Sequence, residues 1–170
     1  MNILSEEQKR ERAQRISAAA LKLFETRSFG AITMSDIAKA AEVSKGTLFN
    51  YFDCKESLFM TLLLDGYQDY FDDLMSEISA QTDFSLHDFA HLLLDSTSKL
   101  VRERPSLVRL NALRGPILEH GANMEQTIDH RQKLYDKNQQ LATLIADQIP
   151  SLPSPRSAGF SLCKAPSSAA

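Results

Sequence analysis

Lys45, Gly46, Thr47, Phe49 and Asn50 fall within six consecutive positions, and here the sequence gathers groups able to meet a polyanion. Lys45 and Thr47 can donate to phosphates or base edges. Asn50 can pair with a base edge through both of its amide atoms, and Gly46 permits close approach of another backbone. Ser44 has the hydroxyl of a helix N-cap, so these residues read as the start of a helix that presents them outward. Thr33 lies upstream, while Tyr51 and Lys55 follow at the far end, where a phosphate strand would pass. The chemistry is binding rather than turnover: no nucleophile elbow, phosphate loop or paired catalytic carboxylate appears, so no enzyme is expected.

Other reactive residue types form weaker patterns. Cys54 and Cys163 are too far apart for a disulfide framework, and His87, His91, His120 and His130 do not join them at structural-zinc spacing. His87 and His91 are four apart and share a helix face that a metal could exploit. Without the Glu of an HExxH arrangement, that stretch reads as ordinary helix, and neither metal nor cofactor is expected. Asp72 and Asp73 read as a solvated helix face.

The elements that must position these residues are helical. Apolar residues recur at helical spacing almost throughout, and long alternating strands are missing, which makes the fold all-α. A first helix is expected over 6–26, with Ala13, Ile16, Ala20, Leu23 and Phe24 on one face, broken at Phe29-Gly30. A second starts near Thr33, where Thr33-Met-Ser-Asp36 has capping-box spacing, and a third starts at Ser44. A fourth follows Asp53, with Glu56 as its reciprocal cap, and carries an apolar stripe from Leu58 to Ile78. Further helices are expected over 86–102, 105–118 and 124–149, with Gly115-Pro116 kinking or stopping the middle one. Ile37, Ala38, Val43, Leu48 and Tyr51 are spaced to close a small core in which the third helix crosses the second. That is helix-turn-helix geometry, although a plain helical hairpin satisfies the same apolar spacing.

Charge is neutral evidence. The 170 residues carry a formal net charge of -3, with nine basic against eight acidic side chains up to Met60. DNA contact would therefore rely on placed groups rather than bulk charge. No apolar run approaches the roughly 18 residues of a membrane span, and the polar start is not a signal peptide, so a cytoplasmic location without membrane contact is expected.

The segment Thr33-Met-Ser-Asp-Ile-Ala-Lys-Ala-Ala-Glu-Val-Ser-Lys-Gly-Thr-Leu-Phe-Asn-Tyr-Phe-Asp-Cys-Lys-Glu-Ser-Leu58 closely resembles the DNA-binding domain of the TetR/AcrR family. Ala19-Ala-Leu-Lys-Leu-Phe24 with Phe29-Gly30 resembles that family's first helix. The resemblance implies a homodimeric regulator, usually a repressor, that reads a palindromic double-stranded DNA operator and is released by a small-molecule inducer. Carried over, Lys45, Thr47, Phe49 and Asn50 face the groove, while Thr33, Tyr51 and Lys55 contact phosphate; Ser44 and Gly46 belong to the same surface. Glu42 stands where the family usually has Gly, Phe49 where Tyr is usual, and Tyr51 where His is common. If Glu42 is left-handed, it costs on the order of 1 kcal/mol.

These readings divide the chain into a DNA-binding domain over 1–53, a helical ligand-binding and dimerisation domain over 54–150, and an irregular tail over 151–170. The ligand pocket is expected among Phe71, Phe89, Leu93, Leu110, Asn111, Arg114, Ile117 and Tyr135, whose aliphatic members equally suit a plain core. The tail, including Arg156-Ser-Ala-Gly-Phe-Ser-Leu-Cys-Lys-Ala-Pro166, does not resemble the interface helix that the family's dimer calls for, so the C-terminus is read as incomplete or altered. The alternative reading is a helical ligand-binding or interaction module without DNA binding.

Overall fold

The computed structural model describes residues 5–82 and 84–149. Helix α1 (Glu6–Thr26) begins at a capping box between Ser5 and Gln8, and a single 3-10 turn follows at Phe29–Ala31. Helix α2 (Met34–Ala40) starts at Thr33, whose hydroxyl accepts from the Asp36 amide while the Asp36 carboxylate accepts from the Thr33 amide. Next come α3 (Lys45–Phe49), α4 (Lys55–Ser79) and α5 (Leu86–Glu103). Helix α6 (Pro105–Leu113) has proline at its first position, where a missing N–H costs nothing. A π turn at Arg114–Leu118 and a last turn, α7 (Glu119–Gly121), lead to α8 (Met124–Gln148). Among the described residues there is no strand.

One local expectation is corrected. Helix α4 is capped by Cys54, whose Sγ accepts from the Ser57 amide, and not by Asp53 with Glu56. The Asp53 carboxylate instead accepts a hydrogen bond from Asn123 Nδ2, a residue 70 positions away. At Gly115-Pro116 the regular α-helix gives way, as expected: α6 ends at Leu113 and the chain stays helical in a different form. It widens into the π turn, in which the Glu119 amide reaches back to the Arg114 carbonyl. A wider turn accommodates a proline that has no N–H to donate to a regular helix.

One core spans the expected domain boundary at 53/54. Ile16, Ala20 and Phe24 of α1, Ile37 and Ala38 of α2 and Leu48 of α3 are buried with Leu58, Phe59 and Leu63 of α4. Leu107, Leu110 and Leu118 close it from the C-terminal side. Phe59 is its hub, meeting Phe24 and Phe29 edge-on at 5.4 and 5.3 Å between ring centres. Burying one such side chain contributes about 1.5–3 kcal/mol, so α4 and α6 add to what holds the first three helices together. A second cluster, built on Leu74, Ile78, Phe84, Leu141 and Ile149, closes the far end of α4 against α8. Helix α5 is lightly buried for its length. Only Ser96 on it is buried, and Leu86, Leu94 and Val101 stand exposed. The tail expected over 151–170, with Cys163 and the altered C-terminus, lies outside the described residues.

Candidate nucleic-acid interface

The turn between α2 and α3 decides how the candidate surface is presented. Glu42 has φ 55°, the one positive value among the described non-glycine residues, so the position reserved for Gly in the resemblance is indeed left-handed. The Val43 amide then donates back to Ala38 at 3.0 Å, closing the turn over a small side chain. Ser44 caps α3 by accepting from the Thr47 amide at 3.0 Å, and its hydroxyl also meets Thr47 Oγ1 at 2.8 Å.

Of the five residues of α3, Leu48 alone is buried; it plugs the shared core and fixes the helix's rotation. Lys45, Gly46, Phe49 and Asn50 consequently face outward, and Thr47 is half-buried. Lys45 Nζ lies 5.8 Å from the centre of the Phe49 ring, near the outer limit of a cation–π contact. A Cβ placed on Gly46 would meet nothing nearer than Ser44 Oγ at 3.9 Å. Packing within the protein therefore does not require glycine there.

The flanking candidates are more occupied. Thr33 Oγ1 donates to Asp36 Oδ2 at 2.7 Å within its capping box, and this contact holds the Asp36 carboxyl below its ordinary value. Lys55 Nζ donates to the carbonyls of Phe29 and Ile32, both at 2.8 Å, and sits 4.1 Å over the Phe29 ring. Two of its three donors are thus spent tying α4 to the turn before α2, leaving one for an external acceptor. Tyr51 is half-buried at the end of α3.

Side chains from the C-terminal half grip this unit from behind, and sequence reasoning missed all of them. Gln126 Nε2 donates to the Tyr51 carbonyl at 3.0 Å, and its Oε1 accepts from the Asp53 amide at 3.3 Å. Asn123 completes the clamp. Its amide donates to Ser57 Oγ at 2.8 Å, and its Nδ2 donates to Asp53 Oδ2 at 2.7 Å. Burial raises the Asp53 carboxyl, but hydrogen bonds from Ser57, Asn123 and Cys54 outweigh it and leave the group below its ordinary value. On the other side, Arg109 of α6 donates to the carbonyls of Phe24, Glu25 and Arg27 at the end of α1, with its guanidinium 4.4 Å over the Phe24 ring. No local motif announces these residues, because their partners lie 73 to 85 positions away in most cases.

Residues 16–62 match the family described as bacterial regulatory proteins, tetR family, and residues 64–164 match the tetracyclin repressor-like C-terminal domain. The chain belongs to the tetR family. Its curated relatives include Rv1255c of Mycobacterium tuberculosis, an uncharacterized HTH-type transcriptional regulator, 50% identical over 46 residues, or 27% of this chain and 23% of that one. EthR of Mycolicibacterium smegmatis is 38% identical over 53 residues, covering 31% of this chain and 24% of EthR. The matches thus span about a quarter of the length of those relatives. Two solved structures share the fold. FadR of Bacillus halodurans has a TM-score of 0.56 at 20% identity, over 81% of this chain and 65% of its own. FadR of Thermus thermophilus, a repressor in complex with lauroyl-CoA, has a TM-score of 0.53 at 26% identity, over 85% and 72%.

In this tetR-family chain the expected ligand residues do not line one chamber. Phe71, Phe89 and Leu93 pack around the far cluster. Leu110 is fully buried in the first core, with Ile117 against it. Asn111, Arg114 and Tyr135 are exposed or half-exposed. Helical periodicity marks which residues turn away from solvent, but not which helices they meet, and that is why the set scattered. Arg114 is held by Glu119, its Nε donating to Oε1 at 2.9 Å, while Arg131 of α8 donates to Oε2 at 2.8 Å. Burial raises the Glu119 carboxyl, but the two guanidinium hydrogen bonds and charges prevail and leave it lowered. Arg131 also donates through Nε to Thr127 Oγ1, and its Nη2 is buried with no hydrogen-bond partner among the described residues. No helix among the described residues is long and apolar enough to cross a membrane.

Proposed function

We propose that this chain is a cytoplasmic transcriptional regulator and not a catalyst, acting as a homodimeric repressor that reads a palindromic operator through α3. One observation carries the reading. A five-residue helix held by a single buried leucine turns Lys45, Gly46, Phe49 and Asn50 outward, with a glycine that the protein's own packing does not need. Lys45, Thr47, Phe49 and Asn50 read the groove, Gly46 lets the DNA approach, and Ser44 sets the helix. Thr33, Tyr51 and the remaining donor of Lys55 hold phosphates.

Release follows from the two grips on the reading unit. A small molecule entering between α4, α6 and α8 displaces Arg109 and the Gln126–Asn123 clamp, and so re-aims α3. It acts only by as much as it prefers the released state. The lauroyl-CoA of the Thermus protein makes acyl-CoA compounds the first class to try, with the buried Nη2 of Arg131 as a polar anchor. The test is fluorescence anisotropy with DNA from upstream of the protein's own coding region against scrambled DNA, at two salt concentrations. Lys45→Ala with Tyr51→Ala should weaken binding and reduce the salt slope by about 1 for each phosphate that is no longer neutralised. An unchanged slope and affinity would favour a helical interaction module instead.

A further inference from the structure

His87 and His91 stand one turn apart near the start of α5. Their Nε2 atoms face each other at 3.3 Å, with ring centres 4.5 Å apart and planes tilted by 60°. Zinc–imidazole bonds are about 2.0–2.1 Å long, and two of them closing on nitrogens at this separation subtend about 104–111° at the metal, which brackets the tetrahedral angle. A hydrogen bond between neutral rings in opposite tautomers fits the same distance, whereas two protonated rings would repel.

The surroundings favour a cation. The pair lines a groove of about 360 Å³ between the end of α4 and the start of α5, together with the carboxylates of Glu77, Asp88 and Asp95, and no Lys or Arg lines it among the described residues. Glu77 is 3.9 Å from Lys99, and Asp88 is turned into the cap at Ser85, so Asp95 keeps the freest carboxylate. No group of three or more His, Cys, Asp or Glu side chains is placed to hold a metal among the described residues. The pair is thus a two-point chelate with open positions towards the groove.

We propose that His87 and His91 form a bidentate site for a divalent late transition metal of the zinc class, the ions that imidazole suits. The ion bridges the first two turns of α5, on which Ser96 is the one buried residue, and its open positions take water or an oxygen donor from the groove. The site is independent of DNA binding and of the inducer.

The test is a zinc titration of the full, untagged chain in competition with a chromogenic chelator, with helicity followed by circular dichroism. One Zn²⁺ per chain should bind at submillimolar concentration, as a two-imidazole chelate completed by water allows. His87→Ala and His91→Ala should each weaken binding by about a hundredfold, because either one turns a chelate into a single ligand, while His120→Ala should leave it unchanged. Binding that survives both substitutions overturns the proposal. So does the absence of binding below millimolar zinc, which would leave the two rings sharing a hydrogen bond only.

Discussion

Gln126 of α8 donates to the backbone carbonyl of Tyr51 at 3.0 Å and accepts from the amide of Asp53 with the same side chain. One amide therefore satisfies both sides of the loop that connects α3 to α4. Replacing it with alanine removes two hydrogen bonds, each worth about 1 kcal/mol net, so Gln126→Ala should lower unfolding stability by about 1–2 kcal/mol. Urea denaturation measures the loss, and hydrogen exchange should quicken at the Asp53 amide. An unchanged exchange rate there would show that the clamp contributes nothing to ordering the loop.

Gly46 separates folding from binding. Because a methyl group meets only Ser44 Oγ at 3.9 Å, Gly46→Ala should leave stability unchanged or raise it by up to about 1 kcal/mol through helix propensity. Against DNA the same methyl overpacks a close contact at a cost of about 1–3 kcal/mol, so affinity should fall by about tenfold or more. Anisotropy and thermal melting on the same sample decide it; full affinity would move the DNA surface elsewhere.

The left-handed Glu42 offers a gain. A side chain at φ 55° costs about 1–2 kcal/mol, and glycine returns part of that through its greater freedom when unfolded. Glu42→Gly should therefore stabilise the fold by about 0.5–1 kcal/mol in denaturant titrations, without altering helicity. A loss of stability would mean that the glutamate makes a compensating contact.

Glu119 sets a pH dependence. Its folded pKa lies below the ordinary 4.5, because Arg114 and Arg131 outweigh the opposing effect of burial. A carboxyl depressed in this way contributes stability that is complete above its unfolded value and is lost as pH falls through the folded one. Glu119→Gln should thus cost about 1–3 kcal/mol at neutral pH, by loosening Arg131. The difference from the parent should shrink as pH is lowered past about 4.5. A gap of constant size down to pH 3 would show that the charge on Glu119 is not what matters.

Local features were legible in the order of the residues. The start of α1, the capping box from Thr33 to Asp36, the Ser44 cap and the proline opening α6 depend on neighbours within four positions, and each appears where those residue types require it. The Cys54 cap was missed because Asp53, the better cap by type, is drawn off by Asn123 across 70 positions. The clamp on Tyr51, the hold of Arg109 on α1 and the facing of His87 with His91 have no comparable local signature.

The sequence by itself determined an all-α fold, the places where most helices begin and, Thr47 apart, the residues that face outward on α3. Those follow from propensity, capping and apolar period, which act over a few residues at a time. Only the tertiary structure decided that the first three helices share one core with α4 and α6, and that the expected ligand residues fall on two clusters and the surface. Only it decided that two polar grips hold the end of α1 and the loop after α3 from the C-terminal half. An apolar stripe states that a face must be buried, whereas the partner that buries it depends on how every helix packs at once.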